Sequence, residues 1–341
     1  MGFFTPTKVR GVLRPQYPIF VYMVRRLVIG AAGQLGIELV LQMQAEFGPN
    51  SVDISDIRVP DNEAVLRSKF LHLDATDEGA LSRILEEGKY DEVYHLAAML
   101  SATGEKKPLA AWDLNMQSLL NILEAAKEGW INRVFWPSSI AVFGPGTPKN
   151  KVPQSALLDP TTVYGISKQA GEFWCRYYHE KYGVDVRSVR YPGLIGHRSL
   201  PGGGTTDYAV EIYHYATKDE AYTCFLRADQ VLPMMFMDDA VRGTLELMNA
   251  PKEKITIRTS YNLGAMSFSP TEIGESIRQH KPQFELNYAP DQRQTIAESW
   301  PCSIDDSSAR IDWGWKPQIM LDDMSEIMMK AMAKENETLK S

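Results

Sequence analysis

The chain has 341 residues, 44% of them hydrophobic, enough to build a large core in one elaborate domain or two closely fused ones. A formal net charge of -7 excludes a global attraction to nucleic acid or to an anionic membrane, and points to small molecules and further copies of the chain as partners. Cys175, Cys224 and Cys302 are widely spaced and form no metal-binding or redox pair, which predicts a reducing compartment and no structural metal.

No apolar run approaches the roughly 20 residues that cross a bilayer. Residues 1–24 read as an N-terminal extension. Lys8, Arg10, Arg14, Arg25 and Arg26 all precede the first acidic residue, Glu38, a bias that resembles a mitochondrial transit segment. Pro6, Pro15 and Pro18 would interrupt one continuous amphipathic helix, and a plain extension or an upstream start ahead of Met23 explains the bias nearly as well. The expected location is therefore mitochondrial, with the cytoplasm as the alternative.

From Arg26 the pattern becomes regular. Leu27-Val28-Ile29 is a short strand that stops at a glycine loop, and Leu35, Leu39, Val40, Met43 and Phe47 then share one helical face. Further buried strands are predicted at 52–57, 70–73, 92–96, 133–137 and 186–191, alternating with helices at 80–88, 113–128 and 165–182. This alternation predicts an α/β fold, a Rossmann-like doubly wound parallel sheet over residues 25–190. After Tyr191 come a Gly/Pro-rich loop (Pro201 to Gly204), shorter elements and a last helix at 321–333. Residues 191–333 are expected to form a smaller C-terminal substrate-binding lobe, and 334–341 a solvated tail.

Gly30-Ala31-Ala32-Gly33-Gln34-Leu35-Gly36 lies where a strand hands over to a helix, the place where backbone N–H groups and the helix dipole bind a dinucleotide pyrophosphate. Three glycines in such a turn also serve plain chain geometry. The next strand ends in Asp56, twenty residues after Gly36, where a carboxylate accepts hydrogen bonds from ribose hydroxyls and repels a 2'-phosphate; NAD is the expected cofactor. Arg58 is the one nearby residue that can receive that phosphate. Asp74, with Ala75 after it, is either an adenine contact or a turn former.

Tyr164-Gly165-Ile166-Ser167-Lys168 puts a phenol and an ammonium on one helical face. A nearby cation lowers a tyrosine pKa and makes the phenol a base near neutral pH, although taken alone the pair is an ordinary surface couple. Upstream, the strand at 133–137 runs into Ser138-Ser139-Ile140-Ala141-Val142-Phe143-Gly144, which brings hydroxyls to the carboxyl edge of the sheet.

With Gly-x-x-Gly-x-x-Gly, Ser-x-Ala-Val-aromatic-Gly and Tyr-x-x-x-Lys in this order, the chain resembles the extended short-chain dehydrogenase/reductase family over about residues 25–333. The resemblance implies that Ser139 holds the substrate oxygen, Tyr164 exchanges its proton, and Lys168 binds the nicotinamide ribose. It also implies cofactor contacts from Leu96, Ala97, Ala98, Asn115, Tyr191, Pro192 and Leu194. Phe143 departs from the tyrosine common in relatives.

Arg190-Tyr191-Pro192-Gly193-Leu194-Ile195-Gly196 lacks the asparagine typical of sugar-nucleotide relatives. Together with Thr205-Thr206 and Ala297 to Pro301, it is similar to the short-chain L-threonine 3-dehydrogenases of that family. Their example implies L-threonine as substrate, oxidised at C3 to 2-amino-3-oxobutyrate, with Thr205, Thr206 and Trp300 at the substrate and Ser101 as a further polar contact. Thr205 and Thr206 as helix caps, and Trp300 as a packing anchor, are the structural alternatives. A sugar-nucleotide epimerase or dehydratase, and a catalytically silent NAD-binding protein, are the rival functions. The resemblance further implies a homodimer through helices 113–128 and 165–182, and functional coupling to a 2-amino-3-oxobutyrate:CoA ligase.

Overall fold

The computed structural model describes residues 23–198, 202 and 204–338, so residues 1–22 of the extension, part of the Pro201 to Gly204 loop and the last three residues of the tail lie outside the described residues. The first half of the chain alternates β1 (Arg26–Ile29), α1 (Gln34–Phe47), β2 (Val52–Asp56), β3 (Phe70–His72), α2 (Glu78–Gly88) and β4 (Glu92–His95). It continues with α3 (Ser101–Lys106), α4 (Pro108–Lys127), β5 (Arg133–Phe135), β6 (Ser138–Ser139), α5 (Val163–Tyr182), β7 (Val186–Arg187), β8 (Val189–Tyr191) and β9 (Gly193–Ile195).

Six of these strands form one parallel sheet in the order β3-β2-β1-β4-β5-β7, the doubly wound order expected from the alternation. β1, β2 and β4 are buried along nearly their whole length because both faces of the sheet are covered, even where Asp53, Ser55 and Glu92 stand in the strands. Leu27 and Ile29 face α2, α4 and α5, where Leu81, Leu85, Leu119, Ile122, Leu123 and Cys175 close one core. Val28, one residue out of phase, faces the opposite core, with Leu39, Val40 and Met43 of α1.

The run 186–191 is not one strand. It breaks at Ser188, whose hydroxyl bonds Ser260; β7 stays in the main sheet while β8 leaves to pair with β6 and with β12 (Tyr261–Asn262). Pro137 interrupts the preceding strand in the same way, since proline has no N–H to give a ladder. These two breaks lift Ser138 and Ser139 out of the main sheet and set them beside Arg190 and Tyr191.

The remaining elements are α6 (Tyr208–Thr217), β10 (Tyr222–Cys224), β11 (Leu232–Phe236), α7 (Met237–Asn249), then β12, β13 (Met266–Phe268), α8 (Pro270–Arg278), β14 (Leu286–Tyr288), α9 (Gln292–Ser299), α10 (Ser307–Trp313) and α11 (Leu321–Thr338). β9, β11 and β13 form a second small sheet, and β10 pairs β14. Their apolar faces enclose a separate core with Ile195, Tyr208, Phe236, Phe268, Trp300 and Met328. α7, by contrast, returns to the main sheet and packs Leu245, Leu247 and Met248 on the face shared with α1. α11 continues past Ala333, where the sequence predicts a solvated tail.

Cys175, Cys224 and Cys302 are free thiols. Among the described residues, no cluster of histidines, cysteines and carboxylates could hold a metal, and no helix is long and apolar enough to cross a membrane.

Candidate active site

The crevice lies where the strand order reverses between β1 and β4, at the carboxyl ends of the strands. Gly30 ends β1 with φ +88°, a left-handed backbone that only glycine adopts freely. A Cβ there would lie 2.6 Å from the Ala97 nitrogen, so the loop after β4, with Leu96, Ala97 and Ala98, is flush against it. A Cβ at Gly36 would lie 2.4 Å from the Gly30 carbonyl oxygen, which lets α1 start tightly on the turn.

Gly33 is different: a Cβ there would meet nothing closer than 3.4 Å. No side chain caps α1 at Gly33, and its first turn, with Gln34 and Leu35, holds no acid. This helix start is therefore electropositive and clear, which suits a pyrophosphate. Asp56 completes the cradle. One carboxylate oxygen accepts from the Ala32 amide at 3.0 Å and the other from the Arg58 amide at 3.2 Å.

Arg58 itself is exposed. Asp74 is exposed too, and its carboxylate accepts from the Thr76 amide at 2.9 Å and hydroxyl at 2.7 Å, the turn-forming arrangement; these bonds hold its pKa below the ordinary value. Ala75 is buried behind it, its carbonyl taken by Asn121 at 3.1 Å.

The catalytic side is built by α5. Thr162 caps the helix by accepting from the Gly165 amide at 3.1 Å. Lys168 reaches back to donate to the Pro137 carbonyl at 2.6 Å, with its ammonium 4.4 Å over the Trp136 ring and 5.6 Å from the centre of the Tyr164 ring. The strand end that presents Ser139 is thereby tied to the helix that carries Tyr164. The Ser139 hydroxyl accepts from the Ala141 amide at 3.2 Å and acts on the Tyr164 phenol, favouring its ionised form.

The electrostatics reverse one expectation. Burial pushes the Tyr164 phenol up to about 12, and the influence that lowers it is Ser139, where the sequence pointed to Lys168. Lys168 is itself pulled down to about 7 by burial, with Cys175 and Glu172 opposing. Its charge is therefore expensive in the folded protein.

Between about pH 7 and the ordinary lysine value of about 10.4, the unfolded chain binds more protons at this group than the folded one, so its contribution to stability rises with pH. A Lys168→Met variant is expected to melt above the wild type near pH 6 and to lose that advantage towards pH 10. Thermal melts that differ equally at both pH values would contradict this.

Asn115 is bonded within the protein on both sides of its amide. Its side-chain oxygen accepts from the Met99 amide at 2.8 Å, and its nitrogen donates to the Met99 carbonyl at 3.2 Å and the Ser167 hydroxyl at 3.1 Å. Ser167 donates in turn to the Tyr164 carbonyl at 2.8 Å, so Asn115 ties the loop after β4 to the start of α5. His95 is kept neutral, down to about 3, by burial and by Lys168; its Nε2 meets Ser118 at 2.9 Å.

Tyr191 is buried with its hydroxyl bonded to Thr244 of α7, so its phenol is a packing group. Pro192 is buried and Leu194 half-buried, on the stretch that follows Ser139's partner strand. Thr205 is buried and Thr206 half-buried in the turn that opens α6, Thr206 resting on Gly193. Ser101 is buried at the start of α3. Trp300 is buried in the core of the small sheets, the packing role, and its carbonyl accepts from Lys149 at 3.1 Å.

Sequence reasoning missed the support beneath Ser139. Glu172, one helical turn beyond Lys168, pairs with Arg190 through bonds of 2.8 and 2.7 Å and accepts from Ser138 at 2.6 Å, with both charged residues buried. Arg190 also donates to Asn262 at 2.9 Å and to the Gln154 carbonyl at 3.1 Å. The signal was the third residue of the Tyr164, Lys168, Glu172 spacing, a carboxylate on a face that is otherwise buried.

A glycine cradle at the sheet switch point with a serine, tyrosine and lysine beside it defines a dinucleotide-dependent enzyme of the short-chain type. Residues 26–264 match the NAD dependent epimerase/dehydratase family, and the chain belongs to it, with NAD as its cofactor. An uncharacterized epimerase/dehydratase of Staphylococcus haemolyticus is 48% identical over 312 residues, 91% of this chain and 98% of the relative.

Among solved structures, a GalE-like L-threonine dehydrogenase from Cupriavidus necator in its holo form is 54% identical, with TM-score 0.88 over 90% of this chain and 99% of that one. The L-threonine dehydrogenase of Clostridium difficile is 44% identical, with TM-score 0.89 over 92% and 98%.

These comparisons correct the expected location. Relatives so similar in Staphylococcus and Clostridium are bacterial, and bacteria have no mitochondria, so the mitochondrial expectation does not hold.

Proposed function

We propose that this chain is an NAD-dependent L-threonine 3-dehydrogenase, oxidising the C3 hydroxyl of L-threonine to 2-amino-3-oxobutyrate. The observation that carries the reading is the meeting of Ser139, Tyr164 and Lys168 beside the glycine cradle, with Thr206 packed on the strand that follows Ser139's partner. The near full-length likeness to L-threonine dehydrogenases supports the choice of substrate.

In this reading residues 25–190 bind NAD and 191–333 form the substrate lobe. The amides of Gly33 to Gly36 would hold the pyrophosphate, and Asp56 would hold the adenosine ribose. NAD, when bound, would supply the acceptor for the hydride that leaves C3. Ser139 hydrogen-bonds the C3 oxygen, Tyr164 in its phenolate form takes the proton from that oxygen and becomes the neutral phenol, and Lys168 would hold the nicotinamide ribose. Thr205 and Thr206 meet the amino acid end, and Trp300 supports that wall from behind.

The reading is tested by incubating the protein with NAD and L-threonine. Net NADH is expected with L-threonine and none with UDP-sugars. The opposite pattern would establish a sugar-nucleotide enzyme, which regenerates its NAD within each cycle, and no turnover of any hydroxy acid would leave a silent NAD-binding protein.

We also propose a homodimer through α4 and α5. Trp112 on α4 and Ile166, Phe173, Trp174 and Tyr177 on α5 are large apolar side chains left exposed, more than a lone surface tolerates without a partner. Light scattering is expected to give twice the chain mass; a single-chain mass would exclude the pairing.

A further inference from the structure

Gly193 opens β9, two residues beyond Tyr191, whose Cα is the register partner of Ser139. It is not among the glycines with positive φ, so its backbone does not require glycine. The requirement is steric. A Cβ at this position would lie 2.4 Å from Met234 Sδ, 2.7 Å from Thr206 Cγ2 and 2.9 Å from Thr206 Cβ.

Met234 is the register partner of Gly193 on β11 and is fully buried, so it fills the space on one side. Its thioether can shift. Thr206 Cβ cannot shift alone, because it is fixed to a turn whose Thr206 carbonyl accepts from the Ala209 amide at 3.1 Å and whose Gly204 amide donates to Asp207 at 2.7 Å. The Thr206 atoms that such a Cβ would meet first are its methyl and Cβ.

We propose that Gly193 is a positioning residue that seats Thr206 against β9, and through the Thr206 hydroxyl sets how tightly the pocket takes a small 2-amino-3-hydroxy acid. The proposal rests on the dehydrogenase reading above. A side chain at 193 pushes Thr206 off the strand, while Ser139, Tyr164 and Lys168 sit on β6 and α5 and stay in place. The loss therefore falls on substrate binding and spares the chemical step.

Steady-state oxidation of L-threonine tests this directly. Gly193→Ala is expected to raise KM for L-threonine by about tenfold or more, with kcat within about threefold of wild type. NAD affinity, read by fluorescence titration without turnover, should be unchanged. Thr206→Val keeps the side-chain volume, removes the hydroxyl, and is expected to raise KM to a similar extent. The double variant should be no worse than the worse single one, because both changes act through one hydroxyl.

An unchanged KM in Gly193→Ala, or losses that multiply in the double variant, would overturn the proposal. Should Gly193→Ala fail to fold, an unchanged KM in Thr206→Val overturns it alone. A wild-type protein that binds NAD yet fails to turn over L-threonine would instead sink the dehydrogenase reading on which the proposal stands.

Discussion

A Tyr164→Phe variant is expected to lose about a thousandfold or more in kcat for L-threonine oxidation while its affinity for NAD stays within about twofold. The ring survives the change and keeps its packing against the small-sheet core, so the loss reports the phenolic oxygen alone. No neighbour can take over. The Lys168 ammonium already donates to Pro137, His95 is buried against Ser118, and Ser139 lacks a base of its own.

Because burial holds the phenol near 12, its basic form gains about tenfold per pH unit below that value, and wild-type kcat/KM is expected to rise with pH until a second group intervenes. Steady-state kinetics and an NAD titration on the same preparation check both halves. Turnover within tenfold of wild type would remove Tyr164 from the mechanism.

Arg190→Leu is expected to cost about 3–5 kcal/mol of stability, a large part of the roughly 5–15 kcal/mol that holds a typical domain folded. The variant strands Glu172 as a buried, unpaired carboxylate with Ser138 as its remaining partner. Removing both charges, in Glu172→Leu with Arg190→Leu, should recover part of the loss, since a buried pair replaced by apolar side chains is often close to neutral. Denaturant titrations decide it. A midpoint unmoved by Arg190→Leu, or a double variant weaker than the single one, would show that the pair is not what holds β6, β8 and α5 together.

The cofactor half of the site was legible because its signals are local. Gly30 and Gly36 announce a tight turn, and Asp56 is placed by the length of one strand-helix-strand unit. The catalytic set was legible for the same reason, as Tyr164 and Lys168 are one turn apart.

What could not be read depends on partners distant in the chain. The Lys168 charge is governed by burial, with Cys175 and Glu172 opposing, and no spacing rule reveals that burial of its own phenol raises Tyr164. The split of 186–191 depends on Ser260 and Tyr261, some seventy residues on, competing for the second half of the run. Gly193 looked like part of a motif until Thr206 was seen resting on it.

The support under Ser139 also bears on the order in which this protein matures. Its members close over sequence separations of 34 residues, from Ser138 to Glu172, and 72 residues, from Arg190 to Asn262. Loops of that length pay their closure entropy before any contact rewards them. α5 carries Tyr164 and Lys168 on one local helix, whereas the place of Ser139 depends on β8, which pairs with both β6 and β12. Both halves of the site are thus held by segments far apart in the chain, the Gly30 turn by the loop at Ala97 and Ser139 by β8 and β12.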